Sequence, residues 1–280
     1  MHFVTFLHDG IERPGVLVGD EVATLPERFT TMASVVAAEP QARELGPTVP
    51  LSSVTLRAPV MPHKNVFCVG RNYLGHAEES ARAGGTELKL PSVPTFFTKA
   101  PTSIAAPGAT LHLSPEVSQK YDWEAELAVV IGKRCRDVHE EDALSVVFGY
   151  TCLNDVTARD LQSAHLQWFK GKSLDDACPI GPWIVSADEI PDPQSLRIAL
   201  RLNGTVKQDG NTASMIFSVA KIIASLSRGM TLEPGDVIAT GTPDGVGFAR
   251  TPPEFLADGD VMDVEIERIG VLRNIVSLQA

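Results

Sequence analysis

The chain has 280 residues, of which 44% are hydrophobic and 21% are charged, a composition typical of a globular protein with one or two domains. Its formal charge of −11 disfavours nucleic acids and anionic membrane surfaces as partners, because both carry negative charge themselves. The first residues lack a secretory signal pattern, and no apolar run approaches the roughly 18 residues that a membrane span needs. Four widely spaced cysteines without a CxxC pair indicate free thiols in a reducing compartment. We therefore predict a soluble cytoplasmic protein.

Residues 1–58 predict a small β-rich domain at the N-terminus. The apolar segments HFVTFL and GVLVG flank a turn at Asp9-Gly10, and the pattern FTTMASVVAAE predicts a short helix after them. The two prolines of PVMPHK indicate a junction, after which residues 59–280 are expected to form a larger domain. Short apolar segments there alternate with glycine and proline, and few stretches show a helical pattern. This composition predicts a β-dominated α+β fold rather than repeated βαβ units.

The segment GRNYLGHAEES carries His76 and Glu79, which are three residues apart. On a helix these residues share a face, so the carboxylate could orient and polarise the imidazole. A pair of this kind is more often a surface contact than a catalytic dyad, and the residues alone leave both readings open. The Gly84-Gly85 pair that follows suits a segment that opens and closes.

The segment YDWEAELAVVIGK alternates Asp122, Glu124 and Glu126 with apolar residues, which places the three carboxylates on one face of a strand. The apolar run AVVI that follows has no polar face, as in a strand covered on both sides. Buried carboxylates need a partner, because desolvating an unpaired charge is costly and like charges push one group to protonate. A divalent cation is one such partner, while arginines or a helix end are others.

A second segment, DVEIERIG, also alternates acidic and apolar residues: Asp263, Glu265 and Glu267 are separated by Val264 and Ile266. No doubly apolar run continues it. We therefore predict a solvated edge strand there.

Asp155 follows an apolar strand pattern in GYTCLNDVTARDLQ and is a candidate third ligand, although an aspartate at this place also suits a helix cap. Asp160 is a weaker candidate, because Arg159 and the polar run after it suggest a surface turn. Three oxygen donors without a nearby histidine or cysteine suit Mg²⁺ or Mn²⁺ rather than zinc.

Three elements stand out nearer the C-terminus. LRIALRLNGTV predicts a hairpin that turns at Asn203-Gly204. SMIFSVAKIIASLSRG predicts a helix with Ser214 as a candidate N-cap and Gly229 as its stop. ATGTPDGVG lacks the GKS or GKT ending of a phosphate-binding loop, so it indicates a tight glycine-rich turn.

Five segments together resemble the fumarylacetoacetate hydrolase family: YDWEAELAVVIGK, NDVTARDLQ, KGKSLDDACPIGPW, NGTVKQDGNTASMIF and LEPGDVIATGTPDGVG. They follow the family's order over roughly residues 64–280. The resemblance implies a mixed β-sandwich roll, a homodimer, and a divalent metal, Mg²⁺ or Mn²⁺, held by Glu124, Glu126 and Asp155. The unit of residues 1–58 would correspond to the accessory domain of longer bacterial members.

The resemblance also assigns roles around the metal. Residues 72–92 look like the mobile lid of acylpyruvase-type members, whose His-x-x-Glu pair, here His76 and Glu79, activates a water. Lys172 in GKS would face the substrate and stabilise an enolate oxygen, whereas Lys170 falls outside the match. Substrate contacts would come from three further residues: Arg159 and Gln162 at the substrate carboxylate, and Thr242 in the glycine-rich turn.

These assignments predict a metal-dependent hydrolase of aromatic catabolism, which cleaves an acylpyruvate or related 2,4-dioxo acid to pyruvate and a carboxylic acid through an enolate. Oxaloacetate decarboxylation and isomerisation of an unsaturated 2-oxo diacid pass through the same enolate and remain alternatives. A non-catalytic metal-stabilised binding protein is the alternative from another class. RNYLGH lacks the additional acid ligand of fumarylacetoacetase proper, which favours the acylpyruvase-like branch.

Overall fold

The computed structural model describes residues 1–38 and 44–278. Within these ranges the strands are, in chain order, β1 (His2–His8), β2 (Ile11–Val18), β3 (Glu21–Thr24), β4 (Thr48–Pro50), β5 (Thr55–Arg57), β6 (Val66–Gly70), β7 (Thr95–Lys99), β8 (Ile104–Ala105), β9 (Thr110–His112), β10 (Tyr121–Asp122), β11 (Ala125–Ile131), β12 (Val147–Asn154), β13 (Thr157–Ala158), β14 (Cys178–Ser186), β15 (Arg197–Leu202), β16 (Thr205–Asn211), β17 (Val237–Ala239), β18 (Val261–Ile266) and β19 (Gly270–Ser277). The α-helices are α1 (Met32–Ala38), α2 (Leu74–Ala83), α3 (Arg159–Ala164), α4 (Phe169–Lys172) and α5 (Val219–Ser227).

The largest sheet runs in the order β4-β3-β2-β1-β14-β12-β11-β17-β6-β7, with β5 paired to β1 and β8 paired to β14. Most neighbours are antiparallel, while β17 with β6 and β8 with β14 are parallel. The predicted β-dominated fold is therefore confirmed. Strand β1 pairs with β14, with Phe3 opposite Ile184, so the N-terminal strands extend the same sheet. The predicted N-terminal domain thus shares backbone hydrogen bonds with the larger unit.

Strand β11 lies inside this sheet, between β12 and β17. All seven of its residues are buried, which confirms the prediction of a strand covered on both sides. The predicted continuous strand is interrupted just before it. Trp123 and Glu124 leave the sheet, and Asp122 pairs instead with Thr157 in the small β10–β13 sheet.

The second large sheet has the order β16-β15-β18-β19-β9 and packs against the first. One apolar core joins Leu127 and Tyr150 of the first sheet to Leu200 and Val264 of the second. The predicted hairpin is confirmed, because β15 and β16 meet at Asn203-Gly204, whose positive φ angles of 52° and 79° fit a tight turn.

The prediction of an edge strand at residues 263–270 is wrong. Strand β18 lies in the middle of the five-stranded sheet, hydrogen-bonded to β15 on one side and to β19 on the other. The alternation shows that the two faces of the strand have different environments. It does not indicate whether other strands lie on both sides of it.

Helix α5 begins later than predicted. Ser218 is the N-cap, and its Oγ accepts a hydrogen bond from the Lys221 amide at 3.1 Å. Ser214, the predicted cap, ends a separate 3-10 turn, Thr212–Ser214. Gly229 follows the helix with φ +76°, as the predicted stop.

Helix α1 lies where the N-terminal pattern predicts it, although the last residue of that pattern, Glu39, is outside the described ranges. The four cysteines are free, as predicted. Among the described helices, none has the length and apolarity that crossing a bilayer requires.

Candidate active site

The nine predicted site residues meet at one cavity of about 210 Å³. Seven of them line it: His76, Glu124, Glu126, Arg159, Gln162, Lys172 and Thr242. The other two bond directly to lining residues, Glu79 to His76 and Asp155 to Lys172. Their side chains come from α2, the β10–β11 break, β11, the end of β12, α3, α4 and the turn after β17. Their chemical roles stay predictions.

Glu124, Glu126 and Asp155 form a compact carboxylate group. One oxygen of each lies within 4.8 Å of the others, and all three side chains are buried. The β11–β12 pairing brings them together, because Glu126 stands opposite Leu153 and the Asp155 amide donates to the Glu124 carbonyl at 2.9 Å. Asp155 thus becomes a neighbour of Glu124 and Glu126, 31 and 29 positions away along the chain, through strand register.

Lys172 contacts two of these carboxylates. Its Nζ donates to Glu124 Oε2 at 2.6 Å and to Asp155 Oδ2 at 2.7 Å. Burial alone would lower the pKa of Lys172, but the charges of Asp155 and Glu124 outweigh it and raise that pKa above its ordinary value. Burial would likewise raise the pKa of Glu124, yet Lys172 and Arg159 lower it. The lysine is therefore an ammonium and Glu124 a carboxylate.

Glu126 has a different environment. Among the described residues it makes no ion pair, and the Gly241 amide donates to its Oε2 at 2.8 Å. Burial first, and then the charges of Asp155 and Glu124, raise its pKa well above the ordinary range. The group thus lacks positive charge on one side. A divalent cation supplies such charge, and three carboxylate oxygens without nitrogen or sulfur donors fit Mg²⁺ or Mn²⁺.

Lys99 belongs to the same network and was missed in the sequence. It is fully buried at the end of β7, and its Nζ donates to Asp155 Oδ1 at 2.7 Å and to the Val156 carbonyl at 3.1 Å. Asp155 is therefore held between two lysines. The available signal was a lysine that directly follows the apolar strand pattern TFFT, where a solvated residue is not expected.

Arg159 is held by protein carboxylates. Its Nε donates to Asp122 Oδ2 at 2.8 Å, its Nη1 lies 2.8 Å from Glu124 Oε1, and its guanidinium lies 4.4 Å from the centre of the Phe248 ring. Nη2 has no partner in the described structure. Asp122 also accepts from the Gly247 and Phe248 amides, so this third acid of the alternating set anchors the arginine and the glycine-rich turn.

His76 and Glu79 form the predicted pair on α2. Nδ1 of His76 lies 2.8 Å from Oε1 of Glu79, and each residue is only 7% exposed, which excludes a surface contact. The second oxygen of Glu79 accepts from the Gly245 amide at 2.8 Å. Helix α2 packs closely on this turn, since a Cβ at Gly75 would lie 2.5 Å from Asp244 Oδ1. The glycine-rich turn therefore holds helix α2 in place.

Asn72 secures the start of the same helix and was also missed. Its Nδ2 donates to the Phe217 and Thr240 carbonyls at 3.0 and 2.8 Å, and its Oδ1 accepts from the Phe217 amide at 2.8 Å. The side chain is fully buried. It links the segment before α2 to two segments that lie more than 140 residues away in sequence, one just before α5 and one just after β17.

The protein is β-dominated, and one cavity is bordered by a buried carboxylate group of the kind that suits a divalent metal and by an adjoining histidine–glutamate pair. Residues 65–277 match the family described as fumarylacetoacetate (FAA) hydrolase, C-terminal. The chain belongs to this family, whose members are enzymes.

Three relatives carry names of different reactions. The oxaloacetate tautomerase YisK of Bacillus subtilis (strain 168) is 49% identical over 225 residues, which are 80% of this chain and 73% of the relative. A solved fumarylacetoacetate hydrolase from Exiguobacterium antarcticum is 42% identical, with a TM-score of 0.88 over all of both chains. A solved 5-carboxymethyl-2-hydroxymuconate delta-isomerase from Mycobacterium smegmatis is 31% identical, with a TM-score of 0.84 over all of both chains.

Proposed function

We propose that the protein is a divalent-metal-dependent enzyme that interconverts the keto and enol forms of oxaloacetate. The main support for this proposal is that a buried carboxylate group, a buried ammonium and a buried histidine–glutamate pair lie around one cavity. Tautomerisation needs stabilisation of an enolate and a group that moves a proton, and this arrangement offers both. The 49% identity to a protein named oxaloacetate tautomerase supports the choice of substrate.

His76 is the proton carrier in this proposal. Its Nδ1 is bound to Glu79, whose other oxygen is held by the Gly245 amide, so the ring has a set orientation. This leaves Nε2 to take a proton from carbon 3 of the keto form and to deliver it to the 2-oxo oxygen of the enolate, which gives the enol; the reverse transfer gives the keto form. Removing the proton leaves a negative charge that is shared between carbon 3 and the 2-oxo oxygen.

Two sources of positive charge stabilise that enolate. When bound, Mg²⁺ or Mn²⁺ acts as a Lewis acid toward the oxygens of the 2-oxo acid. Lys172 supplies a preorganised ammonium in a buried site, where a charge acts more strongly than in water. Arg159 is anchored by Asp122 and retains the unpartnered Nη2, which suits its predicted contact with the substrate carboxylate.

The test is the conversion of enol-oxaloacetate to its keto form in the presence of Mg²⁺ or Mn²⁺. The loss of enol absorbance measures its rate. Divalent ions promote this conversion by themselves, so the control is the same ion concentration without protein. We expect a large acceleration by the metal-loaded protein and none after chelation. A rate equal to that of the ion alone would refute the proposed reaction.

Hydrolysis of an acylpyruvate is the second candidate, because the solved structure named as a hydrolase is 42% identical over the whole chain. Here His76 would activate a water that attacks the carbon 4 carbonyl. The bond between carbons 3 and 4 then breaks, and the enolate of pyruvate takes up a proton. Pyruvate release from acetylpyruvate, compared with tautomerisation and CO₂ release from oxaloacetate, separates hydrolase, tautomerase and decarboxylase.

A further inference from the structure

A second cavity, of about 330 Å³, adjoins the candidate active site. Two residues, Arg71 and Ser80, line both cavities. The remaining walls of the second cavity come from α2 and the segment after it: Ala77, Ala81, Thr86, Glu87, Leu88 and Lys89. Within the described structure, Arg71 is therefore the charged residue at the boundary between the reacting end of the site and the space beyond it.

Arg71 differs from the other basic groups around the first cavity. Lys172 and Arg159 are each paired with two carboxylates, and His76 is bound to Glu79. Among the described residues, Arg71 makes no ion pair or side-chain hydrogen bond, and it is exposed to solvent. Its guanidinium therefore has all of its donors available for an anion that enters the cavity.

The chain holds Arg71 at this boundary. Its φ of +56° is in the left-handed region, which is unfavourable for a residue with a side chain and turns the chain sharply after β6. The Trp168 ring packs on the preceding Gly70, where a Cβ would lie 2.3 Å from the ring. The Arg71 guanidinium lies 5.8 Å from the centre of that ring. Trp168 in turn meets Phe97, which contacts Lys172.

We infer that Arg71 binds the distal carboxylate of a dicarboxylic 2-oxo acid and makes the site prefer diacids over 2-oxo acids with an uncharged end. This deepens the proposed function and rests on it. The two rings of Phe97 and Trp168 form a wall that runs from Lys172 to Arg71, so a substrate with its 2-oxo acid end at Lys172 extends toward the guanidinium. Arginine matches a carboxylate with two parallel hydrogen bonds.

Two other charged groups border the second cavity. Lys89 is a competing cation and Glu87 is a carboxylate that would repel an anion placed near it. Both lie beyond the boundary, and neither lines the cavity that contains the carboxylate group. A short diacid that reaches from the metal site therefore meets Arg71 first.

Binding to the Mg²⁺-loaded protein tests the inference without a proton transfer at carbon 3. Oxalate has no distal group, whereas 3,3-difluoro-oxaloacetate carries the distal carboxylate and has no proton on carbon 3. In Arg71→Met we expect the Kd of difluoro-oxaloacetate to rise about 10- to 100-fold, the effect of one hydrogen-bonded charge pair. The Kd of oxalate should stay within about twofold, because no distal contact is lost. Arg71→Lys keeps the charge and should lie between.

The matched control is Arg82→Met, which removes the same charge from an exposed residue of α2 outside both cavities. Its two Kd values should match those of the parent protein. The assignment would be overturned if Arg71→Met changed the two Kd values equally or changed neither. It would also be overturned if Lys89→Met, instead of Arg71→Met, selectively raised the Kd of difluoro-oxaloacetate. Since neither ligand enolises, these results are independent of whether the protein is a tautomerase.

Discussion

Two segments of this chain alternate acidic and apolar residues, but the burial of their acidic side chains differs. In DWEAE the carboxylates Glu124 and Glu126 are buried, 5% and 1% exposed, and face the candidate active site. In DVEIE, Asp263 is 9% exposed on the face of β18 opposite the core residues Met262 and Val264, while Glu265 is half-buried and Glu267 is exposed. Alternation determines that side chains share a face, but the packing of the sheets decides whether that face is buried.

The cations that pair with acids in the two regions also differ in their exposure to solvent. Asp263 is bound by Arg273 of the neighbouring strand β19, whose side chain is 65% exposed. Asp155 is bound by Lys99 and Lys172, which are 0% and 2% exposed. A pair whose cation is exposed is screened by water and contributes little, whereas a buried charge that loses a buried partner is strongly destabilising. The two segments therefore predict different responses to matched substitutions.

The largest expected effect is on metal binding. Glu126→Gln should weaken Mg²⁺ or Mn²⁺ binding by at least ~100-fold and abolish activity, because a direct ligand matters more than the outer contacts that cost 10- to 100-fold. The fold should survive, since a buried charge is removed. Calorimetric titration with the ion, activity and thermal melting measure the three quantities.

Glu265→Gln on β18 is the control and should leave ion binding and activity unchanged. Treatment with EDTA should abolish the activity of the parent protein. Full activity of the metal-free protein would contradict the assignment of the carboxylate group as a metal site.

A second comparison lies within helix α2, where Glu79 is buried and Glu78 is exposed. His76→Ala should lower tautomerisation, and any acylpyruvate hydrolysis, by ~100-fold or more, the usual contribution of a general acid–base group. Glu79→Gln should lower both rates less, because the histidine remains but loses its orienting charge. Glu78→Gln should change neither rate. The measurement is kcat for each substrate.

Oxaloacetate decarboxylation separates the roles of His76 and Lys172. Loss of CO₂ needs no base at carbon 3, so His76→Ala should reduce it much less than it reduces the other reactions. Lys172→Ala should reduce all of them, because all pass through the enolate that its ammonium stabilises. Equal losses in every reaction from His76→Ala would instead mean that the histidine acts through closure of the lid.

The buried and exposed ion pairs should differ in stability. Lys99→Met leaves the buried Asp155 with only one of its two lysines, and because removing a partner from a buried ion pair costs up to about 3–5 kcal/mol, the free energy of unfolding should fall by up to that amount. Arg273→Met, which removes the partner of Asp263, should cost only a small fraction of that value. Denaturant unfolding of the two variants gives the comparison, and equal losses would show that burial is not the deciding factor.

The smallest expected effect concerns another exposed pair of the five-stranded sheet. The hydrogen bond from Arg197 to Asp209, at 2.8 Å, lowers the pKa of that aspartate below its ordinary value. A lowered carboxyl pKa contributes stability above the pKa of the unfolded chain, about 3.9, and this is lost as the pH falls below it. The melting temperatures of the parent protein and Asp209→Asn should therefore converge as the pH falls from 6 to 3, and a difference that grows toward low pH would contradict the pairing.

Much of the site is predictable because its signals are local. The alternation in DWEAE identifies the carboxylates, the His-x-x-Glu spacing identifies the pair on α2, and Asn203-Gly204 identifies the hairpin. The order of the five family segments relates these signals to a known scaffold. Each depends on residues within a few positions of one another, where backbone geometry alone determines which side chains are neighbours.

Contacts between distant residues were decided only by the tertiary structure. Lys99 meets Asp155 across 56 positions, and Asn72 meets Phe217 across 145. Neither residue has a local pattern that names its partner. The break at Trp123 and the central place of β18 likewise depend on which strands pair, and Ser218 rather than Ser214 caps α5 because Thr212–Ser214 forms its own turn. Strand order and buried ion pairs follow from the packing of the whole chain, and a local pattern reports only the faces of its own segment.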